Sequence, residues 1–529
     1  QGEAWSAYLA LTVNTDYRSQ WQRAWLLGPI GAAGFDADNH QFADVVFADD
    51  FLLFRKALVW FQAEKTSPNP TILAGALPQE QLQRAADLLG WPSDLATWQR
   101  LINFILRKVS SIPQRLYPEI LSIFEVWQNA LADHSNSTSR ALLQLCAKWL
   151  TEIDAPSTAD SPNENSRYWR EVPHLNDFKK SLVRLILRAS RAEPNLADIY
   201  IRRVASSEHI DDGVFSDITA FAPVLAQSLS TPLVELSLAF LRRELPNDQV
   251  AREELELHNA ATWRNKILAK PEAERTRREQ MALSCSPLFR SVGDFSSHDW
   301  QRLSIHDYHQ SFWPCSPLRE PFYSLFQFSP DEGLRLFREL CNHAVLAWRQ
   351  LHVHSHARTG TPIPLELTFP WGAQYFWGSD REYLWCRSTW APKVIGSGFM
   401  ALEEWCIAEL TRGRPVEELI EKIVEGNECI AILGTAAMLT LYTEQLSETT
   451  IPLFTSQRLL AADHHRMVGD LSSAARLIGF TKPSDKPHIE AVQAADARLV
   501  RKSQLCWMVS KPFFEAEPIR DTVRNAILG

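Results

Sequence analysis

The chain has 529 residues, more than one hydrophobic core normally supports, so several packing units or a continuous repeat are expected. Its hydrophobic content of 45% and charged content of 22% are those of an ordinary folded protein, which argues against extensive disorder. The net charge of −9 argues against broad, nonspecific nucleic-acid binding.

The cysteine pattern indicates a reducing compartment. The eight cysteines are scattered singly, with no Cys-x-x-Cys pair, which favours free thiols in the cytosol. The most apolar stretch, Cys429–Tyr442, is interrupted by Gly434 and is too short to span a bilayer. No signal peptide is recognisable, so we expect a cytoplasmic protein without a membrane span. Because the chain begins at Gln1 without a methionine, we also expect it to be part of a longer polypeptide.

The regular pattern along the chain is helical. Glycine is scarce, at 20 residues, and no evenly spaced strand–turn–strand pattern appears, which disfavours an all-β fold. Apolar residues recur at helical spacing after Pro78 and again after Pro415, where the stripe ends at Gly426. The same periodicity predicts helices at about 117–131, 139–151, 178–190, 196–206, 217–229, 232–245 and 330–351.

These helices, joined by short turns, predict an all-α fold: an irregular α-solenoid, or helical-repeat array, of antiparallel helix pairs. Asp154–Arg167 contains no apolar residue larger than alanine or proline, so it is expected to be a linker. The predicted organisation is an irregular N-terminal segment at 1–76, a helical array at 77–153, a linker or exposed loop at 154–167, a second part of the array at 168–283, an ordered loop rich in Pro, Ser and Phe at 284–329, and a C-terminal helical region at 330–529.

The C-terminal region contains an aromatic block at 369–405. Its tryptophans alternate with tyrosine and arginine, and the candidate residues are Trp371, Tyr375, Trp377, Arg381, Tyr383, Trp385, Arg387 and Trp390. Each indole offers a large apolar face and one N–H that needs a partner. Such a block is either a structural clamp between helices or a protein-recognition surface, because Trp, Tyr and Arg dominate interface hot spots.

No complete catalytic or cofactor-binding motif is present. The chain lacks a phosphate-binding Gly-x4-Gly-Lys-Ser/Thr loop, and Ser397 lacks the preceding glycine of a nucleophile elbow. The metal-ligand candidates are His352, His354 and His356, which would share one face of a strand but not of a helix. A solvated helix end is the alternative interpretation. We therefore predict no catalytic residues and no cofactor.

Three other polar groups have simple structural interpretations. His306–His309 and Asp463–His465 contain acid–base side chains without a nucleophile or a paired carboxylate. The basic run 264–278 is interleaved with glutamates, which favours a solvated helix face over a nucleic-acid groove.

Three segments carry a family resemblance: FPWGAQYFWGSDREYLWCR (369–387), GSGFMALEEWCIAEL (396–410) and VEGNECIAILGTAAML (424–439). They are similar to a region of large bacterial ATP-binding proteins, the STAND-type NTPases, several of which act in antiviral defence. The resemblance covers about seventy residues. It implies that an NTPase module and an effector lie elsewhere in the polypeptide and that the helical array is the sensor. No Walker motif occurs in this chain, and no catalytic residue carries over.

The sequence therefore predicts a protein-binding helical scaffold, the sensor or regulatory portion of a larger STAND-type ATPase of antiviral defence. Its expected partner is a protein, either a phage protein or another module of the same polypeptide, and binding would release oligomerisation. Two alternatives stay open: a metal-dependent hydrolase using the three histidines, and a purely architectural scaffold.

Overall fold

The computed structural model describes residues 117–126, 136–154, 174–284, 292–306, 312–354, 362–471, 485–511 and 517–528, with a few single positions between 102 and 114 and at 169 and 172. The predicted N-terminal segment 1–76, the helix expected after Pro78 and most of the linker 154–167 lie outside these residues. The chain divides into two compact units, 1–203 with 227–229, and 204–226 with 230–529.

The described part of the chain is predominantly helical, as predicted, and its only sheet is a two-stranded hairpin. No helix among the described residues combines the length and the apolar character needed to cross a bilayer.

The first unit is organised around an aromatic core. Its described helices are α1 (Tyr117–Val126), α2 (Ser137–Asp154), α3 (Leu175–Arg188) and most of α4 (Pro194–Ala205). Trp149 of α2 stacks on Tyr117 of α1 with ring centroids 4.5 Å apart, and it also contacts Phe124, Trp169 and Phe178. Large buried rings of this kind supply much of the apolar area that stabilises a helical unit.

The second unit contains the remaining elements. Its first helices are α5 (Asp212–Thr219), α6 (Ala222–Ser228), α7 (Ser230–Leu241), α8 (Pro246–Leu268), α9 (Arg277–Ser284), α10 (Ser297–Arg302), α11 (Phe322–Phe328) and α12 (Pro330–His354). The hairpin follows, with β1 (Leu365–Phe369) and β2 (Gly372–Phe376). The later elements are α13 (Asp380–Tyr383), a 3₁₀ helix at Leu384–Arg387, α14 (Lys393–Thr411), α15 (Val416–Val424), α16 (Ala431–Thr443), α17 (Ile451–Thr455), α18 (Gln457–Leu471), α19 (Lys486–Asp496), a 3₁₀ helix at Leu499–Lys502, α20 (Trp507–Ser510) and α21 (Glu517–Leu528).

Helix α16 is the central helix of the second unit. All of its residues from Ala431 to Thr440 are buried, which is expected for a helix that is apolar on every side. It contacts α13, α14, α15, α17 and the 3₁₀ helices at Leu384–Arg387 and Leu499–Lys502. The elements that carry the aromatic block therefore pack around one buried helix.

The hairpin is a correction to the prediction of a C-terminal helical region at 330–529. Leu365 pairs with Phe376 and Phe369 with Gly372, so the turn contains only Pro370 and Trp371. In β1, buried residues alternate with exposed ones from Glu366 onward, the period expected for a half-buried strand. Each strand has only five residues, so this alternation is a weak sequence signal beside the aromatic content.

Two predicted boundaries are also wrong. The ordered loop predicted at 284–329 contains α10 and α11, and α10 begins with a capping box in which the side chains of Ser296 and Asp299 bond each other's backbone N–H groups. The helix predicted at 217–229 is two helices, α5 and α6, and α5 starts at Asp212 because Asp211 caps it. By contrast, α12 and α15 follow their predicted positions closely.

Candidate functional site

The aromatic block divides into side chains that are buried and side chains that are exposed. Tyr383, Trp385 and Arg387 are buried, whereas Trp371 and Trp377 are half-buried. Tyr375, Arg381 and Trp390 are exposed, with 61% of Trp390 accessible to solvent. The block therefore combines the two interpretations offered by its composition, a clamp on the inside and an accessible surface outside.

The two half-buried tryptophans anchor the hairpin. The Trp371 ring stacks on Phe369 with centroids 4.6 Å apart, and its Nε1 donates to Gln374 Oε1 at 2.9 Å. Trp377 lies under the guanidinium of Arg349, 3.8 Å from the ring centroid. Its backbone N–H donates to the carbonyl of Glu428 at 2.7 Å. Both indoles thus have structural partners within the second unit.

The buried end of the block contacts a group of ionised side chains that we call the buried ionic cluster. Its members are Arg387, Glu403, Asp463, Arg466, Asp470, Arg498 and Arg501, and all but the half-buried Arg498 and Asp470 are fully buried. Four arginines face three carboxylates among these members, so all but one of the positive charges are neutralised within the cluster. Glu404 and Asp496, at the edge, contact Arg498 and Arg501 respectively.

Glu403 is the centre of this cluster. Its Oε2 accepts from Arg387 Nη1 at 2.7 Å and from Arg501 Nη2 at 2.9 Å, and its Oε1 accepts from Arg501 Nε at 3.0 Å. Burial alone would raise the pKa of Glu403, but the charges of Arg501, Arg387 and Arg498 outweigh it and lower that pKa to about 2. The side chain is therefore a carboxylate throughout the physiological range.

A second half of the cluster joins α18 to the C-terminal 3₁₀ helix. Arg466 donates to Asp463 at 2.6 Å and to Asp470 at 2.8 Å, and it also donates to the carbonyls of Arg501 and Ser503. Asp470 in turn accepts from Arg387 Nε at 3.0 Å.

Tyr383 connects the aromatic block to this second half. Its hydroxyl donates to Asp463 at 3.2 Å, and burial, followed by the charge of Asp463, raises the pKa of Tyr383 well above its usual range. The tyrosine stays protonated and acts as a hydrogen-bond donor.

A cavity of about 240 Å³ lies beside the cluster. Its polar wall is formed by Arg387, Ser388, Thr389, Lys393, Asp496 and Arg501. Its apolar wall is formed by Trp313, Pro314, Cys315, Met400 and Val492. Ligand pockets for drug-sized molecules occupy roughly 300–1,000 Å³, so this cavity suits a smaller group.

Two exposed tryptophans, one lining the cavity and one next to its lining in sequence, each lie against a basic side chain. Trp313 is 44% exposed, and the Lys393 ammonium lies 4.1 Å from its ring centroid. Arg319 fixes the Trp313 backbone by donating to its carbonyl at 2.7 Å. Trp390 directly follows Thr389 of the polar wall, and the Arg381 guanidinium lies 4.4 Å from its ring centroid. We call Trp313, Arg381, Trp390 and Lys393 the exposed aromatic surface.

The sequence signal for this site was partial. The aromatic block identified Arg381, Arg387 and Trp390, but Trp313 and Lys393 were missed because Trp313 lies in the stretch predicted to be a loop. Glu403 was also missed, since its partners Arg498 and Arg501 are more than 90 positions away along the chain. No local sequence pattern predicts such a contact.

Ser397 has a structural environment. It is fully buried, and its hydroxyl donates to the carbonyl of Phe312 at 3.4 Å. The flanking glycines mark close contacts: a Cβ at Gly396 would lie 2.8 Å from the Cβ of Ser388, and one at Gly398 would lie 2.6 Å from the Phe337 ring. The two glycines therefore allow close packing of this helix against Ser388 and Phe337.

The histidines proposed as metal ligands have different partners. His352 Nδ1 hydrogen-bonds the Trp348 carbonyl at 2.8 Å, whereas His354 Nε2 hydrogen-bonds Asn247 Oδ1 at 2.8 Å. Both belong to α12, and His356 lies outside the described residues. Over the ranges that the structure describes, no three or more His, Cys, Asp or Glu side chains are grouped as metal ligands would be.

The other predicted acid–base groups are also separated. His306 contacts Asp212 at 3.0 Å, and its neighbours up to His309 lie outside the described residues. His464 hydrogen-bonds Gln504 at 3.1 Å, whereas His465 is 3.4 Å from Asp380. These contacts join elements of the fold and do not form a catalytic pair.

The basic run of α8 and α9 faces solvent, as predicted. Arg275 donates to the carbonyls of Ile267 and Lys270 at 3.1 Å each, which closes the turn after α8. Lys270 pairs with Glu279 at 2.6 Å. The charges of this run therefore stabilise a helical turn.

No protein-family model matches the sequence, and no curated protein matches it at a significant level.

Proposed function

We propose that this chain is a protein-binding helical scaffold, the sensor or regulatory portion of a larger bacterial STAND-type ATPase of antiviral defence. The family resemblance of residues 369–439 supports the assignment to this class, and the helical content is consistent with a sensor array of antiparallel helix pairs. The described cysteines are free thiols, which is consistent with a cytoplasmic location.

The observation that carries the proposal is the state of Trp390. Its side chain is 61% exposed and its backbone is in the left-handed region, with φ of 63°. For a residue other than glycine this conformation costs roughly 1–2 kcal/mol. An indole that is mostly in water contributes little apolar burial to offset that cost. Strain of this kind at an exposed residue favours a role in recognition.

The surrounding residues provide the chemistry of an interface hot spot. Trp and Arg are the side chains most enriched at such positions, and the exposed aromatic surface contains two tryptophans, each stacked against a cation. The buried ionic cluster fixes the backbone just before Trp390, so binding would require little ordering of the surface. Because the cations beside the two tryptophans are the exposed Arg381 and the half-buried Lys393, we propose that the partner presents an acidic protein segment.

Affinity capture with matched variants tests the proposal. The full chain is expressed in bacteria, the cells are infected with phage, and bound proteins are compared for the wild type, Trp390→Ala, Arg381→Ala and Trp507→Ala. Trp507 is a tryptophan of similar exposure, at 55%, outside the surface. Loss of a hot-spot tryptophan costs about 2 kcal/mol or more, so Trp390→Ala is expected to weaken capture of one protein at least about 30-fold.

The control separates this result from a general loss of affinity. Trp507→Ala is expected to capture the partner as the wild type does. Equal capture by all four proteins would mean that the partner binds outside the exposed aromatic surface, and enrichment of no protein by the wild type would leave only the architectural scaffold. Neither of the two described histidines supports the metal-hydrolase alternative, because His352 and His354 contact different elements.

A further inference from the structure

We infer that the cavity beside the buried ionic cluster binds a small oxyanion with a short apolar body, such as a medium-chain carboxylate. This inference does not depend on the proposed protein partner. It follows from the lining of the cavity, which combines cationic side chains with apolar ones.

The cationic wall is built for a carboxylate. Lys393, Arg387 and Arg501 line it together with one carboxylate, Asp496, which is engaged by Arg501. In the described part of the chain no carboxylate lies within ion-pair distance of Lys393, whose ammonium covers the Trp313 ring. Arg387 and Arg501 are paired with Glu403, Asp470 and Asp496, so the excess positive charge of the lining is that of Lys393.

Arg501 is held in a fixed position with donors to spare. Its side chain is 4% exposed, and its two terminal nitrogens donate to Asp496 and Glu403. Each terminal nitrogen of a guanidinium carries two N–H groups, so one on each is not used by these bonds. Charge-assisted bonds from a guanidinium that is already ordered are among the stronger contacts to an oxyanion.

The apolar wall faces a different part of the same ligand. Met400, Val492 and Cys315 form a small buried apolar cluster there, and Trp313 and Pro314 extend it toward the rim. With a fully hydrated anion such as phosphate in the cavity, the apolar wall would remain in contact with water. An amphipathic acid satisfies both walls, because its alkyl chain contacts the apolar side while its carboxylate faces Lys393 and Arg501.

The volume limits the size of the ligand. A dry cavity of about 150 Å³ in another protein holds benzene, which corresponds to roughly 25 Å³ per carbon atom. At that density the cavity of about 240 Å³ accepts roughly nine or ten non-hydrogen atoms. Hexanoate, with eight, fits, whereas a nucleotide does not.

Calorimetric titration of the full chain with hexanoate tests the inference. We expect saturable binding in about the millimolar range for a ligand of this size. Two further probes separate the two walls: 1-hexanol lacks the charge, and acetate lacks the alkyl chain. Both are expected to bind at least about tenfold more weakly than hexanoate.

Variants assign the binding to this cavity. Lys393→Met removes the charge that has no carboxylate partner and is expected to weaken hexanoate binding at least about tenfold. Lys502→Met, an exposed lysine near Arg501 that does not line the cavity, is the matched control and is expected to leave binding unchanged. Val492→Phe fills the apolar side and is expected to abolish binding, with circular dichroism confirming the fold. Trp390→Ala is expected to retain hexanoate even where it loses the protein partner.

Three results would overturn the inference. These are the absence of saturable hexanoate binding up to about 10 mM, equal affinity for hexanoate and 1-hexanol, and equal loss of affinity in Lys393→Met and Lys502→Met. Each would show that the two walls do not act together on an anion.

Discussion

Replacement of Glu403 by glutamine tests the buried ionic cluster that holds the aromatic block in place. Glu403 is 1% exposed and accepts hydrogen bonds from Arg387, Arg498 and Arg501. Glutamine keeps one acceptor oxygen but presents an amide NH₂ to the arginine donors, and it removes the one carboxylate that Arg387, Arg498 and Arg501 share. Breaking a buried ion pair by removing one partner costs about 3–5 kcal/mol. Domains are stable by only about 5–15 kcal/mol, so the effect should be large.

Hydrogen exchange measured by mass spectrometry is the suitable assay, because the chain contains two compact units that need not unfold together. Peptides from α14 and α18 report the opening of the elements joined by the cluster. In Glu403→Gln their exchange is expected to accelerate by about two to four powers of ten, the rate equivalent of about 3–5 kcal/mol. Peptides of α2 and α3, in the first unit, should exchange at the wild-type rate.

Glu404→Gln is the matched control at the adjacent position. The Glu404 side chain is 41% exposed and pairs with Arg498, so its loss should cost no more than about 1 kcal/mol. Equal acceleration in the two variants would refute the argument that burial makes the Glu403 interactions valuable.

The same carboxylate gives a pH dependence with a defined sign. In the unfolded chain Glu403 titrates near 4.5, whereas in the folded protein its pKa is about 2. A lowered pKa means that the stabilisation is complete above about pH 4.5 and is lost as the pH falls toward 2. Glu403→Gln is expected to lack this part of the acid transition.

Three further predictions concern other parts of the second unit. Burial raises the pKa of Glu320 from 4.5 to about 7, so the folded state binds an extra proton between these pH values. The free energy of unfolding therefore falls as the pH rises from about 4.5 to about 7. Glu320→Gln should increase the free energy of unfolding at about pH 8 but not at about pH 4. Gly398→Ala should lower the free energy of unfolding in urea by about 1–3 kcal/mol, because its Cβ would overlap the Phe337 ring. Gly469→Ala in α18 is the control: a Cβ there meets nothing within 4 Å, so the change should be neutral or stabilising. The purified chain should contain less than about a tenth of an equivalent of zinc, and a full equivalent that disappears in His354→Ala would restore the metal-hydrolase interpretation.

The predictable parts of the fold are those with a local signal. Helix α15 has five apolar residues on one stripe between Pro415 and Gly426, and its observed bounds follow from that pattern alone. The hairpin was not predicted. β1 alternates buried and exposed residues, but the two strands have only five residues each and adjoin or enter a longer aromatic stretch.

The candidate site depended on contacts that the sequence does not reveal. The composition of the aromatic block was visible, but the orientation of its side chains was not. The chain turns through positive φ at Ser388 and Trp390, which leaves Trp385 buried and Trp390 in solvent. Arg387 pairs with Glu403, which is 16 positions away along the chain, and with Asp470, which is 83 positions away. Long-range pairing of this kind follows from the packing of helices and has no periodic signature.

Site-specific photo-crosslinking tests the central claim, protein recognition by the exposed aromatic surface, most directly. A photoreactive phenylalanine replaces Trp390 in one version of the full chain and Trp507 in another, and both are irradiated in phage-infected bacteria. The account predicts that one protein, carrying an acidic segment at the linked position, is crosslinked from position 390 and not from position 507. Identical products from the two positions, or none from position 390 during infection, would contradict it.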